Sequence, residues 1–119
     1  MPLGIVIIKW DNRLGGVIEA RCTRSAWVPP SFATTVFSMH FPNMKVGINP
    51  VEFIKTKVGR LKVYSYFDNN SERATALILS EKEKPEQYTE KILELTEKIS
   101  KNLDNYVNEL PKWYSKIFR

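Results

Sequence analysis

The side chains that most often carry catalysis are scarce in this chain. It contains one histidine, His40, and one cysteine, Cys22. A serine or cysteine nucleophile activated by a histidine would have to use His40, which falls in a predicted packed helix, where a structural histidine is the commoner case. A small hydrolase or transferase built on these two residues is therefore the least favoured hypothesis. A zinc or iron site would need several carboxylate ligands in an arrangement that the sequence does not show.

Carboxylates and glycines give no stronger indication of chemistry. The aspartates Asp11, Asp68 and Asp104 fall in two predicted turns and a helix, so no pair is placed for acid-base catalysis. Gly15-Gly16 lacks the spacing and the lysine of a phosphate-binding loop and precedes a predicted strand, which favours a simple turn. We therefore expect a protein that is not an enzyme and that uses no metal and no cofactor.

Basic residues and tyrosines lie close together over two predicted strands: Lys55, Lys57, Arg60, Lys62, Tyr64 and Tyr66. Aromatic rings on a sheet can stack nucleic-acid bases while cations bind phosphates, and the same cations can attract anionic lipids. Aromatic residues in strands are more often core residues, and no glycine-aromatic RNA-binding signature is present. Binding of nucleic acid or an anionic membrane through residues 55–62 is therefore the alternative function.

An apolar stripe with basic neighbours ends the sequence. Its members are Trp113, Tyr114, Ile117 and Phe118, and lysines and an arginine lie opposite them. Such a stripe can lie on an anionic membrane or in the groove of a partner, which makes Trp113 and Phe118 candidate anchors. The favoured alternative is that the stripe packs back onto its own domain, because the proline at position 111 permits the chain to fold over.

The chain has the length and composition of one folded domain. Its 119 residues, of which 43% are hydrophobic, fit the usual size of about 100–150 residues, so we predict a single domain over residues 1–119. The net charge of +5 comes from residues 1–60, which hold 8 basic and 3 acidic side chains. No apolar run approaches the roughly 18 residues that cross a bilayer, and a lone cysteine cannot form an intrachain disulfide. We expect a cytoplasmic location.

Hydrophobic periodicity predicts five strands. Ile5 to Trp10 is nearly continuous in apolar residues, which indicates a central strand, and Val17 to Cys22 alternates and completes a hairpin. Strands at Val51 to Val58, Leu61 to Phe67 and Ala74 to Ser80 follow as a meander. The last of these begins with an uncharged run typical of a central strand, whereas lysines at positions 55 and 57 suit an edge strand.

Three helices complete the predicted fold. Pro29-Pro30-Ser31 opens a short helix in which Phe32, Val36 and Met39 recur at helical spacing, and this helix ends by Phe41. From Pro85 a long helix carries one apolar stripe: Tyr88, Ile92, Leu95, Ile99, Leu103, Tyr106 and Leu110. Pro111 should kink or end it, which leaves residues 111–119 as a short terminal helix.

The predicted fold class is therefore α/β, of the α+β kind, with the element order β-β-α-β-β-β-α-α. One five-stranded, mainly antiparallel sheet would carry the first helix on one face and the C-terminal helices on the other.

The element order and the opening residues Gly4-Ile5-Val6-Ile7-Ile8-Lys9-Trp10-Asp11-Asn12-Arg13-Leu14-Gly15-Gly16-Val17-Ile18 resemble the longin domain family, within the profilin-like folds. Similar openings, with an aromatic residue, a few polar residues and Leu-Gly before the second strand, occur in longin modules that assemble with small GTPases. The related roadblock modules begin with a helix, which this chain lacks before Ile5. Gly16 departs from the proline that many relatives carry, and many relatives are fused to a membrane helix or a larger body, whereas this chain stops at Arg119.

The resemblance implies a non-catalytic scaffold that forms a homo- or heterodimer. Its partners would be a second longin or roadblock protein, a small GTPase or a vesicle-trafficking complex. Peripheral membrane contact through the tail is a separate expectation, from its apolar stripe and basic neighbours. Affinity would come from backbone pairing at an exposed sheet edge and from apolar anchors. The candidate contacts are Val17, Glu19 and Arg21 on one edge, Lys55 and Lys57 on the other, Trp27 before the first helix, and Trp113 and Phe118 in the tail.

Overall fold

Five strands and three α-helices make up the part of the chain that the computed structural model describes, which covers residues 2–23, 28–41 and 50–118. The strands are β1 (Gly4–Asp11), β2 (Gly15–Thr23), β3 (Phe53–Val58), β4 (Leu61–Asp68) and β5 (Arg73–Leu79). The helices are α1 (Phe32–Met39), α2 (Thr89–Lys101) and α3 (Tyr106–Ile117), with a 3₁₀ turn at Pro85–Tyr88 before α2. The predicted fold class and element order are confirmed.

The strands form one sheet in the order β2-β1-β5-β4-β3, and every neighbouring pair is antiparallel. β1 and β5 lie inside the sheet, as their apolar runs predict, and β2 and β3 are its edges. A β-bulge interrupts the ladder between β1 and β2, because Ile7 pairs with Ala20 while Ile8 pairs with Ile18. Glu19 is therefore the extra residue of the bulge.

Helices cover both faces of the sheet. Ile5, Val6, Ile7 and Ile8 are all 0% exposed, and successive side chains point to opposite faces. Ile5 and Ile7 belong to the core cluster that includes α2 and α3, whereas Val6 and Ile8 belong to the cluster that includes α1. The expected arrangement, with one helix in front and the C-terminal helices behind, is confirmed.

Helix α1 packs very closely against β2. A Cβ atom added to Gly16 would lie 2.6 Å from the carbonyl oxygen of Ala33, which belongs to the helix backbone. Glycine therefore permits the two backbones to meet. Phe32 is buried as predicted, but Met39, predicted on the packed stripe, is 36% exposed, and His40 is buried after it.

The prediction of a single long helix from Pro85 to Leu110 is wrong. The 3₁₀ turn and α2 are followed by four turn residues at 102–105 before α3 begins. Three of these four residues are asparagine or aspartate, whose side chains compete with helical hydrogen bonds. The Asn102 side-chain amide donates to the carbonyl oxygen of Lys98 at 2.9 Å, and Leu103, predicted in the buried stripe, is 38% exposed.

Pro111 lies inside α3, so of the two predicted outcomes, a kink or an end of the helix, the end is wrong. Pro111 lies on the exposed side of α3, and because proline has no backbone N–H, one hydrogen bond of the helix is missing there. Burial of Leu110 and Tyr114 against the core offsets that loss. The C-terminal helix therefore begins before the predicted segment 111–119.

The C-terminal residues pack back onto the domain. Phe118 is 1% exposed, and its ring centroid lies 5.8 Å from that of Tyr88. The hydroxyl of Tyr114 donates to the carbonyl oxygen of Pro2 at 2.6 Å. The last helix is thereby fixed beside the first residues that the structure describes.

Candidate interaction surfaces

The outer side of β2 is the longer of the two sheet edges, with 9 residues against 6 in β3. Val17 and Thr23 are half-buried there, and Arg21 is exposed. No other strand within the described ranges pairs with this side of β2. Its outward backbone groups are therefore placed to pair with a strand from another molecule. The sequence-predicted contacts Val17 and Arg21 both belong to this edge.

Glu19, also predicted as an edge contact, is engaged within the chain. Its carboxylate accepts hydrogen bonds from the Arg73 guanidinium at 2.9 and 3.1 Å and from the Tyr106 hydroxyl, and Lys9 Nζ lies 3.5 Å away. Burial raises the pKa of Glu19, but the hydrogen bonds from Arg73 and Tyr106 outweigh burial and leave the pKa below its usual value. Glu19 therefore connects β2 to β1, β5 and α3.

The β3 edge carries the two predicted lysines. Lys55 Nζ donates to the carboxylate of Glu86 in the 3₁₀ turn, and this hydrogen bond raises the pKa of Lys55. Lys57 is exposed and lies directly opposite Lys62 of β4, whose Nζ donates to the Glu83 carbonyl oxygen at 2.5 Å. Lysine on an edge strand discourages pairing with other molecules, so β3 is the protected edge.

The tyrosines predicted beside these lysines differ in accessibility. Tyr64 is 4% exposed, and its hydroxyl lies 2.9 Å from that of Thr89. Tyr66 is half-buried with its ring centroid 4.7 Å from that of Phe53, and burial raises the pKa of Tyr66. Tyr64 is thus a core residue, and the lysines are the accessible part of this region.

His40 lies in a buried polar cluster. Its Nδ1 donates to the Val51 carbonyl oxygen at 2.5 Å, so Nε2 carries the lone pair and accepts from the Ser65 hydroxyl at 2.9 Å. Burial lowers the pKa of His40, and the hydrogen bond to Val51 opposes that effect. Because His40 and Ser65 are both 0% exposed, a substrate has no access to this pair in the described conformation.

The other candidates are dispersed. Cys22 is half-buried, and burial raises the pKa of its thiol, which disfavours the reactive thiolate. Phe118 is in the core, and Trp113 is half-buried with Lys98 Nζ 5.8 Å from its ring centre. Trp27 lies outside the described residues.

Two exposed apolar side chains near the β2 edge were not predicted as contacts. Leu14, in the turn between β1 and β2, is 73% exposed, and Trp10 is 46% exposed. The Trp10 ring centroid lies 5.4 Å from that of Phe37 in α1. The signal in the sequence is a tryptophan at the end of a strand followed by a leucine among polar turn residues.

Within residues 2–23, 28–41 and 50–118, no three histidine, cysteine, aspartate or glutamate side chains are grouped as a metal site requires. No helix in these ranges is long and apolar enough to span a membrane. Comparisons of the chain with models of known protein families, with curated proteins and with solved structures found no match.

Proposed function

We propose that this chain is a non-catalytic, longin-like interaction module that pairs along β2 with a second copy of itself or with a related domain. The pair would dock a small GTPase or a trafficking-type complex in the cytoplasm, as the resemblance to longin domains implies. The observation that carries this proposal is the difference between the two edges. β2 is long and has one exposed charged residue, Arg21, whereas β3 is short and has two exposed lysines.

The pairing segment in this proposal is Ala20–Thr23. The bulge at Glu19 divides the edge into two halves, and a regular ladder can follow only one of them. Gly15 and Gly16 weaken the other half as a pairing strand, because glycine adds backbone freedom and no side-chain contact. Antiparallel pairing of Ala20–Thr23 with the same segment of a second copy would join two sheets through main-chain hydrogen bonds.

A matched pair of substitutions tests this edge. Thr23 on β2 and Thr56 on β3 are both half-buried threonines on edge strands. We expect the wild-type chain to sediment as a dimer whose dissociation constant rises at least about tenfold in Thr23→Lys, because the ammonium groups oppose pairing. Thr56→Lys should leave the dissociation constant unchanged. A wild-type chain that sediments as a strict monomer contradicts dimerisation along β2.

The exposed pair Trp10 and Leu14 supports a second protein contact beside this edge, because interface cores are enriched in aromatic and apolar side chains. We expect immobilised dimer to capture small GTPases in one nucleotide state, and Leu14→Asp to weaken this capture without changing sedimentation. Val107→Asp is the control, since Val107 is 47% exposed on α3. GTPase capture that does not depend on the bound nucleotide would exclude the contact at Trp10 and Leu14. Equal loss of capture in Leu14→Asp and Val107→Asp would also exclude it.

Binding of nucleic acid or an anionic membrane is the second candidate function. The observation that favours it is the exposed Lys57 directly opposite Lys62, because like charges at this position destabilise a sheet and a bound anion would offset part of that cost, in addition to the Glu83 carbonyl oxygen that Lys62 already contacts. It predicts salt-dependent retention on heparin or acidic liposomes that is lost in Lys55→Glu/Lys57→Glu. Failure to bind either matrix at low salt eliminates it.

A further inference from the structure

A surface groove of about 400 Å³ lies between the exposed sides of α2 and α3. Its lining residues are Glu94, Lys98, Lys112, Trp113, Lys116 and Ile117. Trp113 and Ile117 are half-buried and pack against the core cluster beneath the helices, whereas the four charged residues are exposed. This α2–α3 groove therefore has an apolar floor and a charged rim, within a volume typical of ligand sites, about 300–1,000 Å³.

The rim of the α2–α3 groove is basic, with three lysines and one glutamate. Lys112 and Lys116 stand at i, i+4 spacing on α3, where like charges repel each other. Neither forms an ion pair with another described residue, whereas Lys101 on the neighbouring helix is 2.9 Å from Glu97. An anionic ligand in the groove would relieve this repulsion.

Trp113 gives the groove an aromatic surface and a hydrogen-bond donor. Lys98 Nζ lies 5.8 Å from its ring centre, a distance suited to a cation-π contact. Its indole N–H donates to no other atom of the described residues. A ligand that combines an apolar side chain with nearby oxygen acceptors would match the floor, the donor and the cationic rim together.

We propose that the α2–α3 groove binds a short acidic peptide segment of a partner protein. An apolar side chain of that segment lies against Trp113 and Ile117, and its carboxylates bind the three lysines of the rim. Charge complementarity selects this occupant, and the binding is independent of pairing along β2, because the groove contains no residue of that strand.

An extended polyanion suits the same surface less well. Glu90 and Glu97 are exposed along α2 beside the groove, so a flat anionic membrane or a nucleic-acid strand would meet their negative charge in addition to that of Glu94 on the rim. A short peptide can place a few carboxylates at the lysines and leave Glu90 and Glu97 in water. The acidic peptide is therefore the occupant that the charge pattern favours.

The test is fluorescence anisotropy with a labelled synthetic peptide of alternating glutamate and leucine at low salt. Lys112→Glu/Lys116→Glu should raise the dissociation constant at least about tenfold, because two of the three cations are reversed. The matched control Lys57→Glu/Lys84→Glu changes the net charge equally at exposed positions elsewhere, and should change the constant less than about threefold. Circular dichroism melting should show that both double variants fold like the wild type.

Several results would overturn this inference. Equal loss in the two double variants would mean that only the overall charge attracts the peptide. Equal binding of a glutamine-leucine peptide of the same length would remove the role of the carboxylates. Two further probes are vesicles containing phosphatidylserine and a single-stranded oligonucleotide. If either binds more tightly than the peptide and loses binding in Lys112→Glu/Lys116→Glu, the groove belongs to that occupant and not to an acidic peptide.

Discussion

Glu19 is half-buried because of the β-bulge, since the extra residue allows Glu19 and Ala20 to lie on the same side of the sheet, towards α3. A strictly alternating strand would place one of them on the opposite side. The sequence suggested an edge residue free for a partner, because the alternation of β2 does not reveal where the register shifts. The register explains why the carboxylate reaches Arg73 and Tyr106.

Glu19→Gln should lower the free energy of unfolding by about 1–3 kcal/mol at pH 7, because Arg73 loses its charged partner. The folded pKa of Glu19 lies below the unfolded value of about 4.5, so its contribution is complete above that pH and is lost as the pH falls through the folded pKa. Urea titrations at pH 7 and pH 3 should therefore show a difference between variant and wild type that shrinks in acid. A difference that stays constant would contradict the charged role of Glu19.

His40 should make the free energy of unfolding depend on pH in a higher pH range than Glu19 does. Its folded pKa lies below the unfolded value of about 6.5, so the unfolded chain takes up the proton first. Stability should fall as the pH drops below about 6.5, until the folded pKa is reached. His40→Gln removes this dependence, and denaturant titrations between pH 7 and pH 5 should show a shallower slope than in the wild type. An unchanged slope would assign the dependence to other groups.

Among the elements, the strands were predictable because short apolar or alternating runs between turn-forming residues are typical of strands, although the bulge in β2 was not visible in its alternation. The break between α2 and α3 was not predictable from the sequence, because apolar residues continue at helical spacing through Leu103 and Tyr106 across the turn. The local preference of asparagine and aspartate for turns prevails there. At Pro111 the opposite happens, because the burial of neighbouring residues overrides a local signal that usually ends a helix.

Gly16→Ala tests the packing of α1 on β2. The added methyl group would meet helix backbone at 2.6 Å, so the helix must move and the free energy of unfolding should fall by about 1–3 kcal/mol. Gly59→Asn is the comparison, since Gly59 has φ +61° and no atom within 4 Å of an added Cβ, and asparagine tolerates this backbone conformation. Urea titration should show the larger loss at Gly16. Equal losses would mean that the close approach to α1 does not limit this position.

For the whole molecule, the sequence indicated the layers correctly, because two strands with apolar residues on both sides require helices on both faces. It could not indicate the α2–α3 groove, whose Lys98 and Trp113 belong to different helices and meet only through tertiary packing. It did identify β3 as a lysine-bearing edge, since that feature depends on one strand alone.

Hydrogen exchange should follow the strand order. Backbone amides of β1 and β5 should exchange slowest, at rates set by global unfolding, because both strands are paired on two sides. Amides of β3 should exchange faster through local opening. Protection of Ala20–Thr23 should rise with protein concentration if β2 pairs between copies, and mass spectrometry of peptic fragments at two concentrations measures this. Concentration-independent exchange in that segment would contradict the pairing.

The hydrogen bond from Tyr114 to Pro2 has a consequence for protein engineering. Because Pro2 contacts Tyr114 in the last turns of α3, a flexible linker could join the two ends of the described chain, which could then be opened at the Gly59–Arg60 turn, where both residues are exposed. The rearranged polypeptide would keep every strand neighbour while its new ends lie at the tip of the hairpin formed by β3 and β4.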